Sequence, residues 1–219
     1  MKDVASVGPP LTPDLMVRAY AAGIFPMADD ADDPEVFWVD PRRRGVLPME
    51  RFHVSRSLRR SILSGRWSWT ADRAFEDVLD GCASRETTWM NGPIREAMLA
   101  LHAAGVAHSQ EVWIDGELAG GVYGVALGGA FFGESMFSAR RDASKVALAV
   151  LTRRLLDAGF TLFDTQFVTP HLLTLGAEEI GRDDYRARLV QALTVTAVLK
   201  GDGAMPTAQD VVQRRTQTS

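Results

Sequence analysis

The chain has 219 residues, 46% of them hydrophobic and 24% charged, with a net charge of −4. This composition excludes a disordered or fibrous protein, and the lack of any run of about 18 apolar residues excludes a membrane-spanning one. A single cysteine, Cys82, excludes an internal disulfide. With no apolar signal-peptide stretch near Met1, a cytoplasmic location is expected.

Thr12-Pro13, followed by Leu15, Met16, Ala19 and Tyr20 with Gly23 beyond, predicts a capped helix. Residues 24–48 are rich in Pro, Asp and Arg and predict irregular chain, with a short extended piece at Val36-Phe37-Trp38-Val39. Ser55 to Leu63 predicts a short basic helix. A domain boundary is expected near residue 60, giving a small N-terminal domain of residues 1–60 with a basic patch and a second domain of residues 61–219. Trp67-Ser68-Trp69-Thr70 alternates like a strand. Ala74 to Cys82 predicts a helix with Phe75, Val78, Leu79 and Cys82 on one face. Asn91-Gly92-Pro93 opens another, with Ile94, Ala97, Met98 and Leu101 inward. An antiparallel meander follows: Ser109 to Ile114, the Asp115-Gly116 turn, Leu118 to Leu127, the Gly128-Gly129 turn, and Ala130 to Phe137. Ala143 to Ala158 predicts a long helix and Phe160 to Gln166 a strand. Short helices are expected at His171 to Leu175 and Asp183 to Leu193, and a loose polar tail after Gly201.

Three meandering strands, a long helix and a further strand make the expected fold class α/β (α+β). The layout is that of an acetyltransferase-like (GNAT-like) mixed-sheet domain, in which a central strand pair splays to admit an acyl donor. Fold alone does not assign chemistry.

Charge is segregated along the chain. Arg42, Arg43, Arg44, Arg51, Arg56, Arg59, Arg60 and Arg66 crowd residues 40–66, preceded by Asp29, Asp30, Asp32, Asp33 and Glu35. Such segregation makes a local positive field possible despite the acidic total, although a solvated arginine-rich surface fits the same pattern. The four histidines lack metal-ligand spacing, so no metal site is expected. Phosphate-loop and dinucleotide fingerprints are missing too, so no cofactor is expected. Cys82 lies on the apolar face of its helix and is expected in the core.

The concentrated signal lies between Gly133 and Gln166. Glu134 interrupts an apolar strand, and Asp164 and Gln166 share one face of a later strand by its period of two. If the two strands approach each other, a carboxylate–amide cluster forms in a partly dry cleft. The alternative is that Asp164 caps the next turn while Glu134 meets an arginine.

Several motifs, in order, resemble the leucyl/phenylalanyl-tRNA–protein transferases. They are Tyr20-x-x-Gly23-Ile24-Phe25-Pro26, Trp38-x-Asp40-Pro41-Arg42, Phe52-His53-Val54-Ser55-Arg56-Ser57, Gly81-Cys82-Ala83 and Thr88-Trp89-Met90. They continue with His108-Ser109-x-Glu111-Val112-Trp113, Gly133 to Phe137, Ala143-Ser144-Lys145, Asp164-x-Gln166 and Leu175-Gly176-Ala177. The resemblance spans about residues 12 to 195. It implies an enzyme without metal or coenzyme that moves Leu or Phe, with Met a further donor, from aminoacyl-tRNA to proteins beginning with Lys or Arg, tagging them for degradation. It further implies a reaction centre at Glu134, Asp164 and Gln166. The apolar side-chain pocket would be built from residues such as Val122, Phe131, Met136, Leu148 and Leu151, with Ser135 also among the substrate-binding residues. Tyr20 and Trp89 would lie near the terminal adenosine, and Arg56, Arg59 and Arg60 near the acceptor stem. The position after Ile-Phe-Pro, where family members usually carry Trp, is Met27.

An aminoacyl ester is already activated, so aminolysis needs positioning, a neutral amine and stabilisation of developing charge. Asp164 is expected to orient or deprotonate the amine, directly or through Gln166, and Glu134 to hold a cationic acceptor residue. The rival readings are an acyl-coenzyme A N-acyltransferase of the same general fold and a non-catalytic RNA-binding module. The first lacks a glycine-rich turn at 139–145, and the second leaves the acidic cluster unused. With no spare apolar stripe, a monomer is the default expectation.

Overall fold

A computed structural model describes residues 11–84, 90–201 and 203–213. Helix α1 (Pro13–Ala21) begins where the Thr12 hydroxyl accepts from Leu15 N–H and Pro13 fills the first turn. Gly23, at φ +80°, then reverses the chain. Strands β1 (Phe25–Met27) and β2 (Phe37–Val39) pair antiparallel as a separate hairpin, with Met27 opposite Phe37.

The main sheet has seven strands: β3 (Arg43–Val46), β4 (Ser68–Ala71), β5 (Ala107–Ile114), β6 (Glu117–Leu127), β7 (Ala130–Ser138), β8 (Leu162–Gln166) and β9 (Glu178–Gly181). Their order is β4-β5-β6-β7-β8-β3-β9. Neighbours are antiparallel except β7 and β8, which run parallel and are joined by helix α5 (Ala143–Asp157).

Both faces of the sheet are covered. On one, α5 packs Val146, Val150, Leu151 and Leu155 against Val112, Val122, Phe131 and Phe163, with α2 (Arg56–Ile62) and α8 (Ala208–Val212) alongside. On the other, α1, α3 (Phe75–Ala83), α4 (Gly92–Ala103) and α7 (Arg182–Leu193) bury Tyr20, Phe75, Ile94, Met98 and Tyr185 with Tyr123, Val125 and Phe132. Strands covered on both sides need not alternate, which is why β6 reads as a nearly continuous apolar run; β5 instead buries His108, Ser109, Gln110 and Glu111. Gly120 allows α5 to approach closely: a Cβ there would sit 2.6 Å from the Ala143 Cβ.

Two expectations need correction, and one strand was not foreseen. Within residues 24–48 the expected extended piece is β2, but β1 and β3 are strands as well, and β3 joins the main sheet. Strand β9 has no apolar alternation to betray it; Glu178 and Glu179 are held in the sheet by pairing to β3. The tail also contains a helix, α8, started by a capping box between Thr207 and Asp210 and anchored by buried Val211. Cys82 is buried, as expected.

Candidate active site

β7 and β8 pair only at Ala130–Leu162, Phe131–Phe163 and Phe132–Asp164. Beyond Phe132, β7 runs on to Ser138 beside β6, whereas β8 ends at Gln166, so the two strands part. A cleft of about 820 Å³ opens where they separate. β7 contributes Gly133 to Ser138, β8 and the next turn contribute Phe163 and Thr165 to Phe167, and β1 contributes Phe25, Pro26 and Met27. Val122, Leu148, Leu172 and His171, the last two from α6 (Pro170–Thr174), complete the lining used below. Gly133 keeps the mouth open, since a Cβ there would lie 2.7 Å from the Phe163 ring.

Behind the cleft lies a buried ionic knot. The Arg44 guanidinium donates to both Asp164 oxygens at 2.9, 3.1 and 2.7 Å and to the Gly23 carbonyl at 2.8 Å. Its plane lies over the Phe25 and Tyr185 rings, 4.6 and 4.4 Å from their centroids. The Tyr185 hydroxyl donates to Asp164 at 2.7 Å, and Gln166 N–H donates to the same carboxylate at 2.8 Å. Asp164 is fully buried, so a charge that would be costly alone is met by four donor atoms, two of them on Arg44. Gln166 takes φ +54°, a conformation unusual for a residue with a side chain, and Asp164 holds its backbone there. The Gln166 side-chain amide then donates to Glu134 Oε1 at 2.9 Å.

The ionisation states follow from this packing. Burial pushes the Glu134 carboxyl up to about 8, and the charge on Asp164 adds to the effect, while Tyr20, Arg44 and Gln166 offset only part of it. Glu134 is therefore largely protonated at pH 7, although part of the residue still faces the cleft. The fully buried Tyr20 hydroxyl is raised by burial and by Glu134 beside it, yet it forms no hydrogen bond of normal geometry among the described residues. Burial also raises Tyr185, so it stays a donor to Asp164. Burial alone would lower Arg44, but Asp164 outweighs it and holds the guanidinium charged. His171 is lowered by burial and by the Lys145 charge.

An apolar hollow beside a neutral carboxylic acid and a fixed amide is suited to holding an apolar acyl group while a polar reaction centre acts at its edge. The family model for leucyl/phenylalanyl-tRNA protein transferase matches residues 46–190, and that for its N-terminal domain matches residues 10–42. The chain belongs to the leucyl/phenylalanyl-tRNA–protein transferase family. A family member from Jannaschia sp. (strain CCS1) is 63% identical over 189 residues, 86% of this chain and 89% of that one. Another, from Ruegeria sp. (strain TM1040), is 56% identical over 209 residues, 95% of this chain and 99% of that one. Among solved structures, a C-terminal domain (DUF2156) from Agrobacterium fabrum aligns at TM-score 0.42 and 12% identity, covering 82% of this chain and 62% of that one. That likeness is too distant to carry an argument.

Measured against the transferase residues expected from sequence, the cleft contains Glu134, Gln166, Met27, Val122, Ser135, Met136 and Leu148. Four others sit behind it. Asp164 faces Arg44 and Tyr185, so it reaches the cleft only through Gln166. Phe131 and Leu151 are core residues, Phe131 packing edge-on to Phe163 with centroids 5.2 Å apart. Tyr20 is also sequestered, its ring 5.0 Å from that of Phe132. Trp89 lies outside the described residues. Arg56, Arg59 and Arg60 are exposed on α2, where Ser55 caps the helix. Arg44 is the correction to the arginine cluster: it is buried, not part of a surface field. Strand alternation offered the signal, since Arg44 and Val46 share a face that the apolar Val46 marks as inward. Tyr185 and His171 gave no comparable signal. Among the described residues no cluster suited to a metal ion exists, and no helix is long and apolar enough to cross a membrane.

Proposed function

We propose that this chain transfers Leu or Phe, with Met a further donor, from aminoacyl-tRNA to the α-amine of proteins that begin with Lys or Arg, marking them for degradation. The observation that carries the reading is the apolar cleft at the parting of β7 and β8, with Glu134 and Gln166 at its floor. Val122, Met136 and Leu148 supply the surface against which a Leu or Phe side chain buries about 1.5–3 kcal/mol. The transferase names carried by relatives at 56–63% identity support the reaction class.

Gln166 is the proposed group that touches the reacting amine or ester, with Asp164 as its positioning residue. Glu134, neutral at pH 7, serves as a hydrogen-bond partner of the reaction centre rather than as a counter-charge for the acceptor. Opposite charge for a Lys or Arg side chain is available from Asp29, Asp30, Asp32 and Glu35, exposed in the loop that follows Met27. Arg56, Arg59 and Arg60 serve the tRNA backbone, with Tyr20 shaping the adenosine end from behind. The parting of β7 and β8 around a cleft supports an acetyltransferase-like fold. A monomer acting in the cytoplasm completes the reading.

An acyl-coenzyme A donor is disfavoured by the start of α5. Ser138 Oγ already accepts from Ser144 N–H at 3.2 Å, and the N-cap of α5 is Asp142 rather than a glycine.

Labelled leucine on tRNA, offered to a peptide beginning with Arg without coenzyme A or ATP, tests the proposal. Label on the Arg peptide and none on a control beginning with Ala is the expected result. Absence of transfer from Leu-, Phe- and Met-tRNA alike refutes it.

A further inference from the structure

We propose that Arg141 and Lys145, on the turn that leads into α5, hold the phosphate that joins the terminal adenosine to the rest of the tRNA. This rests on the transfer reaction proposed above and adds to it a phosphate contact separate from the α2 arginines.

A donor whose ester lies at Gln166 has its terminal ribose in the cleft, and that ribose carries a phosphodiester on its 5′ side. The phosphate therefore passes the cleft's own rim, within one nucleoside of the reaction centre. Arg56, Arg59 and Arg60 do not line the cleft, so they serve phosphates elsewhere on the tRNA. The turn before α5 does reach the rim, through Ser138, Ala139 and Ser144. Among the described residues, the only lysine or arginine side chains next in sequence to a lining residue are Arg140 and Lys145, and Arg141 lies between them. The Lys145 charge also bears on His171 of the α6 wall, after burial the second cause that lowers that imidazole.

The turn is held in place by its own hydrogen bonds. Ala139 and Arg140 N–H both donate to Ala119 O on β6, at 2.8 and 3.1 Å. Ser138 Oγ donates to Arg140 O at 2.8 Å and accepts from Ser144 N–H. Its charges do not cancel. Arg140 is paired with Glu117 at 3.3 Å. Asp142 stands 3.9 Å from Arg141 and 3.7 Å from Lys145, and one carboxylate neutralises one of the two. One positive charge is left over, which matches one phosphodiester. The Arg141 side chain is 92% exposed, so it reaches a partner without desolvating a buried pair.

This is a different arrangement from a pyrophosphate cradle. The Ala143 and Ser144 N–H groups are already engaged, by Arg140 O and Ser138 Oγ, so side chains rather than backbone make the contact. The same charges repel an acceptor that begins with Lys or Arg, which leaves the acidic loop after β1 as its approach.

The test uses three donors with a peptide beginning with Arg: leucine esterified to the 3′ oxygen of adenosine, the same ester carrying a 5′-phosphate, and Leu-tRNA. At low salt the wild type should have a KM at least about threefold lower for the phosphorylated small donor. Arg141→Gln combined with Lys145→Gln should bring the two small donors within twofold of each other, because the cycle of phosphate against cation isolates their contact. For Leu-tRNA the double variant should raise KM about two- to fivefold for each cation lost. It should also flatten the dependence on log salt by about 0.7, the figure for one phosphate on a single strand. Arg141→Lys with Lys145→Arg keeps both charges and should restore the preference. A wild type indifferent to the 5′-phosphate, or a double variant that prefers it as strongly as the wild type, overturns the proposal. Should the small donors react too slowly to measure, an unchanged salt slope with Leu-tRNA overturns it. A wild type that transfers leucine from none of the three donors removes the transferase reading itself.

Discussion

Arg44→Met takes from Asp164 the guanidinium that now meets both its oxygens at 2.7–3.1 Å, while keeping a long apolar side chain against Phe25 and Tyr185. Asp164 would be left with the Tyr185 hydroxyl and the Gln166 N–H, in a site with no access to water. Breaking a buried ion pair from one side costs about 3–5 kcal/mol, because the remaining charge stays desolvated. The Gly23 carbonyl also loses its donor. For a chain of this size each kcal/mol lowers Tm by about 2–4 °C, so a fall of roughly 6–20 °C is expected. Turnover should drop as well, because a carboxylate no longer fixed by Arg44 holds Gln166 less firmly at its φ of +54°. The double variant Arg44→Met with Asp164→Leu has no buried charge left and should regain at least half of the lost stability, while its activity stays low. Urea midpoints of the four proteins measure this as a double-mutant cycle. A single-variant loss below about 1 kcal/mol, or a cycle that closes additively, refutes the reasoning, since either result means that the buried charges do not depend on each other.

Glu134→Gln should flatten one part of the pH–stability curve. The folded carboxyl is raised from 4.5 to about 8, so the folded state holds this proton more tightly than the unfolded chain. Its contribution is fully present below about pH 4.5 and is lost as pH rises through 8, so the wild type should weaken over that window. Urea midpoints at pH 5 and pH 8.5 check this, and the advantage of Glu134→Gln over wild type must grow with pH. Replacing Arg56, Arg59 and Arg60 together by alanine should raise KM for aminoacyl-tRNA and flatten its dependence on log salt by about 0.7–0.9 per lost phosphate contact, with turnover at saturation kept. An unchanged salt slope would place the tRNA elsewhere.

Much of the fold was legible because its long elements carry strong periodicity and clear punctuation. Thr12, Ser55, Asn91 and Thr169 each cap a helix through the side chain, and Asp115-Gly116 turns a hairpin. What was hidden depends on partners distant in sequence. Strands β3 and β9 have four residues each, and their identity as strands comes from each other and from β8. The site divides in the same way. Glu134 and Gln166 stood out as polar residues in apolar strands, and they do meet. Arg44 was concealed among other arginines: alternation with Val46 marks its face as inward, but only the fold brings it to Asp164, 120 positions away. The ring of Tyr185 likewise gains meaning only once the chain is folded.

The placement of β3 has a consequence for how the protein is made. Residues 43–46 lie between β8 and β9, so an early segment of the chain must wait for residues 162–181 before it can be paired on either side. At a synthesis rate of about 5–20 residues per second, that wait is on the order of 6–25 s. Throughout it, Arg44 is a charge without its counter-ion and β3 is an open edge. The catalytic floor is therefore among the last parts of the molecule to close, and nascent chains should be most exposed to proteases and chaperones at this seam.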